Sequence, residues 1–217
     1  MISALENIEK LNYILPTDYL MDSKKVLSKG IAVIIHMHYS DTLDNYKKYI
    51  DNIPEEINLY FTSSNEEVRQ KIQHFVQHRK RCRIVPKNNR GRDISSFLVA
   101  CREEILKHEY VCFLHDKKEK DPSRKKDIDR WIYSQWENML GSTAYICNIL
   151  HYFDKNPQLG LLLPPIPLGE RLPFLYRNNW YNNYENTIKL AKSLNLHCYI
   201  DKEISPMALG TIFWARV

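Results

Sequence analysis

Val85 to Lys118 reads VPKNNRGRDISSFLVACREEILKHEYVCFLHDKK, and this stretch decides the fold class. It predicts the end of a strand, a basic polar loop, a helix, a buried strand and a second charged loop. The first loop is Asn88-Asn89-Arg90-Gly91-Arg92-Asp93. The second, His115-Asp116-Lys117-Lys118, follows the apolar run Val111-Cys112-Phe113-Leu114. Both loops are expected at the carboxyl ends of neighbouring strands, where open α/β sheets bind ligands. One offers cations and a glycine at the mouth of a helix. The other offers a histidine, a carboxylate and two ammonium groups. Such equipment suits a polyanion such as a nucleotide diphosphate.

Working outward, Ile31-Ala32-Val33-Ile34-Ile35 is a continuous β-branched run, as expected of a strand buried on both faces. It ends in His36-Met37-His38-Tyr39-Ser40-Asp41, and a helix is expected over Leu43–Ile50. Ile57 to Thr62 is the next strand. Ser64 and Glu67 make a capping-box pattern ahead of a helix with Val68, Ile72, Phe75 and Val76 on one stripe. Cys82–Val85 is a third strand, stopped by Pro86. Ile94, Phe97, Leu98, Cys101 and Ile105 define an amphipathic helix, and Tyr110–Leu114 the fourth strand. The order β-α-β-α-β-α-β predicts parallel pairing with right-handed crossovers.

Beyond it, Ile128, Trp131, Ile132, Gln135, Trp136, Met139 and Leu140 fall at helical spacing, Gly141-Ser142 breaks the helix, and Tyr145 to Phe153 continue another. Leu159–Leu163 reads as a strand and Tyr184–Leu194 as a helix. Between them, residues 166–183 read as a long polar loop. His197–Ile200 and Thr211–Arg216 are candidates for the last strands. Residues 1–29 read as a leading helix and an arm. With no repeat and no clear linker, the 217 residues are expected to form a single domain.

Composition narrows the class. Hydrophobic residues at 44% and charged residues at 26% are ordinary for a globular protein, and six glycines and ten prolines exclude a fibrous chain. The net charge of +5 is modest, so its placement matters. Arg79 to Arg92 holds seven Lys or Arg and no acid, whereas basic residues between Asp116 and Arg130 alternate with five acids and read as a solvated face. The five cysteines, Cys82, Cys101, Cys112, Cys147 and Cys198, make no C-x-x-C pair and are expected to be reduced thiols, as in a cytoplasm. The start of the chain lacks the apolar core of a signal peptide, and no run approaches the ~18 apolar residues of a membrane span.

Each loop has a functional and a plain reading. Gly91 permits a tight turn, and Asp93 or Ser95 can cap the following helix, whose N-terminus would then face an anion. Arg90 and Arg92 can grip phosphate bidentately, Asn88 and Asn89 can bond a base or ribose, and Asp93 can take ribose hydroxyls. The plain alternative is a capped turn with solvated arginines. At the second loop, an ammonium at Lys117 can neutralise diphosphate oxygens without a metal, and His115 can donate to phosphate or act as an acid. The plain alternative is a charged surface turn. His36, His38 and His115 evoke a metal cluster, but nothing in their spacing fixes a geometry. Trp131 and Trp136 are most simply core, and Trp180, Tyr181 or Tyr184 can stack on a sugar.

Several blocks then carry a resemblance. They are Asn89-Arg90-Gly91-Arg92-Asp93, Leu114-His115-x-Lys117-Lys118, Trp131 with Leu140-Gly141-Ser142, Pro157-x-Leu159-Gly160-Leu161, and Gly210-Thr211-x-Phe213-Trp214-x-Arg216. In this order, over residues 31–216, they resemble the rhamnan synthesis protein F family. The resemblance implies a GT-A-like, Rossmann-like, mostly parallel sheet flanked by helices. It also implies a glycosyltransferase of bacterial surface polysaccharide assembly, taking a nucleotide sugar donor and a glycan or lipid-linked glycan acceptor. Such an enzyme would work in the cytoplasm, at the inner face of the membrane, with no nucleic acid partner.

On this reading His115 and Lys117 are catalytic, with Asp201 and Glu203 as candidates for a general base. The donor is held by His36, His38, Tyr39, Asn88, Asn89, Arg90, Gly91, Arg92, Asp93, Asp116 and Lys118. Trp131, Trp180, Tyr181 and Arg216 lie on the acceptor side. The family commonly has a small hydroxyl residue where this chain has Asp116. No metal is expected, and Mg²⁺ or Mn²⁺ enters only if Asp116 is a ligand. Such proteins usually continue past the point where this chain ends, at Val217. Two rivals stand beside this reading: a non-catalytic sugar-nucleotide-binding scaffold, and a metal-dependent nuclease suggested by the loose pattern Asp93…Asp116-x-Lys118.

Overall fold

The computed structural model describes residues 15, 16, 18, 23–165, 180, 182–205, 208 and 210–217. Two compact units emerge, Met1–Pro165 with Gly210–Val217, and Ile166–Leu209. In the first unit the described elements are α1 (Ser23–Leu27), β1 (Ile31–His36), a 3-10 turn (Leu43–Tyr46), α2 (Lys47–Asp51), β2 (Asn58–Ser63), α3 (Glu66–Phe75) and β3 (Cys82–Pro86). Next come a π-type turn (Ser96–Ala100), α4 (Arg102–Ile105), β4 (Tyr110–His115), α5 (Pro122–Leu140), α6 (Thr143–Lys155), β5 (Leu161–Leu162) and, after the second unit, β6 (Phe213–Arg216). The second unit contributes α7 (Tyr184–Ser193).

The sheet is Rossmann-like, six-stranded, with order β3-β2-β1-β4-β6-β5. β1, β2, β3 and β4 pair in parallel, and β6 runs antiparallel to both β4 and β5. The continuous apolar reading of β1 holds, since all six of its residues are buried. One face of the sheet, with Val33, Ile35, Phe61, Cys112, Leu114 and Trp214, packs on Val68, Ile72, Trp136, Met139, Ile146 and Ile149 from the helices. On the opposite face Phe97 from the π-type turn meets Phe113 and Phe213, with ring centroids 5.4 and 5.1 Å apart.

Local expectations were adjusted in four places. Leu43–Ile50 opens as a 3-10 turn before α2 begins. The cap of α3 is Asn65, whose side chain accepts from the Glu67 N–H at 2.9 Å, so Ser64 is released from the capping role. The expected Ile94–Ile105 helix is split, and Leu98 and Val99 point outward, 59% and 73% exposed. His197–Ile200 forms no strand; no neighbouring strand pairs with it, and Tyr199 is exposed. The break expected at Gly141-Ser142 holds, and Ser142 caps α6 through the Tyr145 N–H; as expected, all five cysteines are free thiols. No helix among the described residues is long and apolar enough to cross a membrane.

Strand order corrects one premise. The loops after β3 and β4 do not follow neighbouring strands, because β2 and β1 lie between. Residues 87–95 instead run along the carboxyl edge of the sheet, across roughly 14 Å at three strand spacings. They end with Asp93 Oδ2 at 3.5 Å from His115 Nε2.

Candidate functional site

His36 and His115 are register partners at the ends of β1 and β4, the point where strand order reverses and α/β sheets open a crevice. Asp116, one residue further, turns back onto the loop after β1. Its carboxylate accepts from the His38 N–H at 2.9 and 3.0 Å, the Tyr39 N–H at 2.8 Å and the Thr42 hydroxyl at 2.9 Å. Burial pushes this carboxyl up, and the three donors partly offset the push. Asp116 is therefore a clamp on residues 38–42 and not a contact for a donor. A second tie runs from Lys118, whose ammonium pairs with Asp41 and lies 5.9 Å from the centroid of the Tyr39 ring.

His115 joins three segments. Its Nδ1 lies 2.8 Å from the Asp116 carbonyl, and its Nε2 lies 2.6 Å from the Gly210 carbonyl, with Asp93 alongside. Gly210 (φ +78°) and Thr211 (φ +56°) are both left-handed, and this turn brings the Gly210 carbonyl to the imidazole.

The loop after β3 is built differently from a capped helix start. Gly91 (φ +76°) and Arg92 (φ +52°) are both left-handed. Ser95 Oγ lies 2.8 and 2.9 Å from the Arg90 and Arg92 carbonyls and donates to them instead of capping. The Ser95 and Ser96 N–H groups donate to the Gly91 and Asp93 carbonyls, so the expected free helix N-terminus is not formed. A Cβ on Gly91 would lie 2.7 Å from Ser95 Cβ, so the turn needs glycine for contact as well as for φ.

Beside this loop lies a cleft of about 880 Å³, lined by Ser64, Arg69, Pro86, Lys87, Asn88, Arg90, Gly91, Ser95, Val99 and Ala100. Three cations and no carboxylate line it, and Pro86, Val99 and Ala100 give it an apolar side. Arg69 is partly committed, pairing with Glu66 and donating to the Ser63 carbonyl at 3.0 Å. Among the described residues Lys87 pairs with no carboxylate; its ammonium donates to the Asn88 carbonyl at 2.8 Å, and burial lowers its pKa. Asn89 and Arg92 are exposed and do not line the cleft. Sequence reasoning missed Lys87, Arg69 and Ser64. Lys87 had a visible signal, as a cation directly after the strand-stopping Pro86, but Arg69 and Ser64 had been absorbed into a helix pattern.

His36 was expected to touch a donor. It is only 5% exposed, and Nδ1 lies 2.9 Å from the Thr62 hydroxyl and 3.1 Å from its carbonyl. Burial, with Lys87 and His115 nearby, lowers its pKa to about 4. The neutral ring thus packs beneath the edge. Between the ordinary value of 6.5 and about 4, the unfolded chain holds more protons than the folded one. Stability from this group is full above that window and falls as pH drops through it, by on the order of 3 kcal/mol. His36→Gln should therefore flatten the pH dependence of urea unfolding between pH 6.5 and 4. Parallel slopes for the two proteins would remove His36 as the cause.

The remaining candidates separate. Lys117 places its ammonium 3.7 Å from the centroid of the Trp131 ring, and Trp131 is buried, which makes it a wall for Lys117. Arg216, expected near the acceptor, pairs with Tyr110 at the amino end of β4, roughly 17 Å of strand from His115. There it donates to the Phe153 and Asn156 carbonyls at the end of α6, a structural role. Asp201, Glu203 and Trp180 belong to the second unit. Asp201 Oδ1 accepts from the Glu203 and Ile204 N–H groups, its Oδ2 accepts from the Tyr199 hydroxyl, and its carbonyl accepts from Trp180 Nε1. Tyr181 lies outside the described residues.

A divalent cation held at the end of β4 does not fit these residues. Asp116 is committed to three donors, both ring nitrogens of His115 face carbonyls, and Lys117 brings a positive charge. Among the described residues no three His, Cys, Asp or Glu side chains are grouped to hold a metal. The nuclease pattern also disperses: Asp93 faces His115, Asp116 faces the loop after β1, and Lys118 pairs with Asp41.

With this geometry the comparison with known families is decisive, because the rhamnan synthesis protein F model matches residues 2–217. The chain belongs to that family. Membership ties it to the synthesis of rhamnan and related polysaccharides. No curated protein matches the chain.

Proposed function

We propose that this member of the rhamnan synthesis protein F family is a GT-A-like glycosyltransferase. It transfers a sugar from a nucleotide-activated donor to a growing surface glycan, free or lipid-linked, at the cytoplasmic face of the membrane. The observation that carries the reading is the 880 Å³ cleft at the carboxyl edge, with Arg69, Lys87 and Arg90 and no carboxylate in its lining. Its size lies in the upper part of the ~300–1,000 Å³ range of ligand pockets. The apolar side suits a base, and the cations suit a diphosphate. Positive charge must meet the diphosphate as the glycosidic bond breaks. Lys87 and Arg90 supply it in this proposal.

Turnover of the nucleotide sugar should then survive EDTA. Nucleoside diphosphate release, assayed across a panel of donors with and without chelator, tests this. Activity that disappears with EDTA and returns with Mn²⁺ would overturn the metal-free assignment. A binding-only role has one observation in its favour: Asp201, a candidate base, has both carboxylate oxygens engaged. Donor binding in calorimetry, with no release of nucleoside diphosphate on any glycan acceptor, would select that role.

A further inference from the structure

Lys117 does not line the cleft. It lines a second pocket, about 370 Å³, with Asn45, Tyr46, Lys48, Tyr49, Lys125, Asp129, Ile132 and Tyr133. This pocket lies between the turn after β1 and the first half of α5. Its three ammonium groups differ in their partners. Lys48 pairs with Glu137, and Lys125 pairs with Asp129 at 2.5 Å. Lys117 makes no ion pair among the described residues, only its contact with the Trp131 face. Tyr133 gives the pocket an exposed aromatic wall, with Lys48 Nζ 5.1 Å from its centroid, while Tyr49 is buried behind it.

A half-buried ammonium without a carboxylate bears a desolvation cost that a bound anion would relieve. An aromatic face beside it suits the C–H surface of a sugar ring. At 370 Å³ the pocket sits near the lower end of the range for small ligands, the size of a monosaccharide with a phosphate and well below the cleft. We propose that it binds a saccharide carrying a phosphate, with the phosphate on Lys117 and Lys125 and the sugar ring against the exposed Tyr133. This rests on the glycosyl-transfer reading and gives it a substrate class: the acceptor enters as a phosphate-linked sugar, in a pocket separate from the donor cleft.

Two sources present this chemistry, a free sugar phosphate and a lipid-linked sugar diphosphate. Glucose 1-phosphate and farnesyl-diphospho-glucose serve as probes for them, with glucose and inorganic phosphate as controls and uridine diphosphate as the probe of the cleft. Binding is read by calorimetry and by indole fluorescence, since Trp131 adjoins Lys117. Lys117→Met keeps an apolar stem over Trp131, and Lys125→Ala removes the second phosphate contact together with the partner of Asp129. The expected result is that Lys117→Met weakens the sugar phosphate tenfold or more and Lys125→Ala and Tyr133→Ala weaken it severalfold. All three leave uridine diphosphate unchanged, whereas Arg90→Ala does the reverse. The tighter of the two sugar probes identifies the source. The proposal is overturned if neither sugar probe binds at millimolar concentration or if phosphate alone binds as well as glucose 1-phosphate. It is also overturned if Arg90→Ala, rather than Lys117→Met, removes the sugar phosphate. Loss of uridine diphosphate binding alone would count against the donor cleft and leave this pocket standing.

Discussion

Asp116→Ala is expected to lower the unfolding free energy by about 3 kcal/mol or more. The substitution leaves the His38 and Tyr39 N–H groups and the Thr42 hydroxyl without their acceptor, and hydrogen bonds to a charged group contribute roughly 1.5–3 kcal/mol each. Asp116→Asn should cost less. Its carbonyl oxygen can take the place of Oδ2 and keep Tyr39 and Thr42, while its amide meets the His38 N–H. Urea unfolding gives the energies, and hydrogen exchange locates them, with the His38 and Tyr39 amides losing protection first. A stable Asp116→Ala protein with both amides still protected would mean that the loop after β1 is held by something else. The distinction bears on function, because a buried clamp tolerates chelators and a metal ligand does not.

Arg90→Ala should weaken uridine or thymidine diphosphate binding tenfold or more, and Lys87→Ala should do the same. A charge-assisted hydrogen bond to phosphate is worth roughly 1.5–3 kcal/mol, and about 1.4 kcal/mol is a factor of ten. Together the two substitutions should approach a hundredfold if they act independently. Arg92→Ala should change little, since Arg92 is exposed beside the cleft and not in it. Calorimetry at two ionic strengths provides the measurement, with the wild-type affinity falling as salt rises. An unchanged affinity in folded Arg90→Ala, or a large loss in Arg92→Ala, would redraw the phosphate contacts.

Sequence alone determined the features that depend on neighbours along the chain. The β-branched run at Ile31–Ile35 and the apolar run at Val111–Leu114 identify buried central strands, because only a strand covered on both faces is apolar at every position. Gly141-Ser142 marks a helix boundary, because a serine side chain satisfies the first N–H groups of the next helix. Strand–helix alternation gives the parallel part of the sheet, and the ordered blocks from Asn89 to Arg216 give the family. Gly91 is legible too, as the residue that a left-handed turn accepts at little cost.

Only the tertiary structure decided what meets what. Strand order put β1 and β2 between the two loops that the sequence had placed side by side, so Asp93 reaches His115 only because residues 87–95 cross the sheet edge. Side-chain direction at a strand end is equally non-local. Asp116 turns to two backbone N–H groups and a threonine hydroxyl 74 to 78 residues away in the chain, and Lys117 turns to Trp131. Antiparallel pairing of β6 carries Arg216 to the amino edge, at the opposite end of β4 from His115. Periodicity records which face of its own element a residue occupies. It holds no information on which distant loop comes to face it, and the division between cleft, clamp and second pocket is set there.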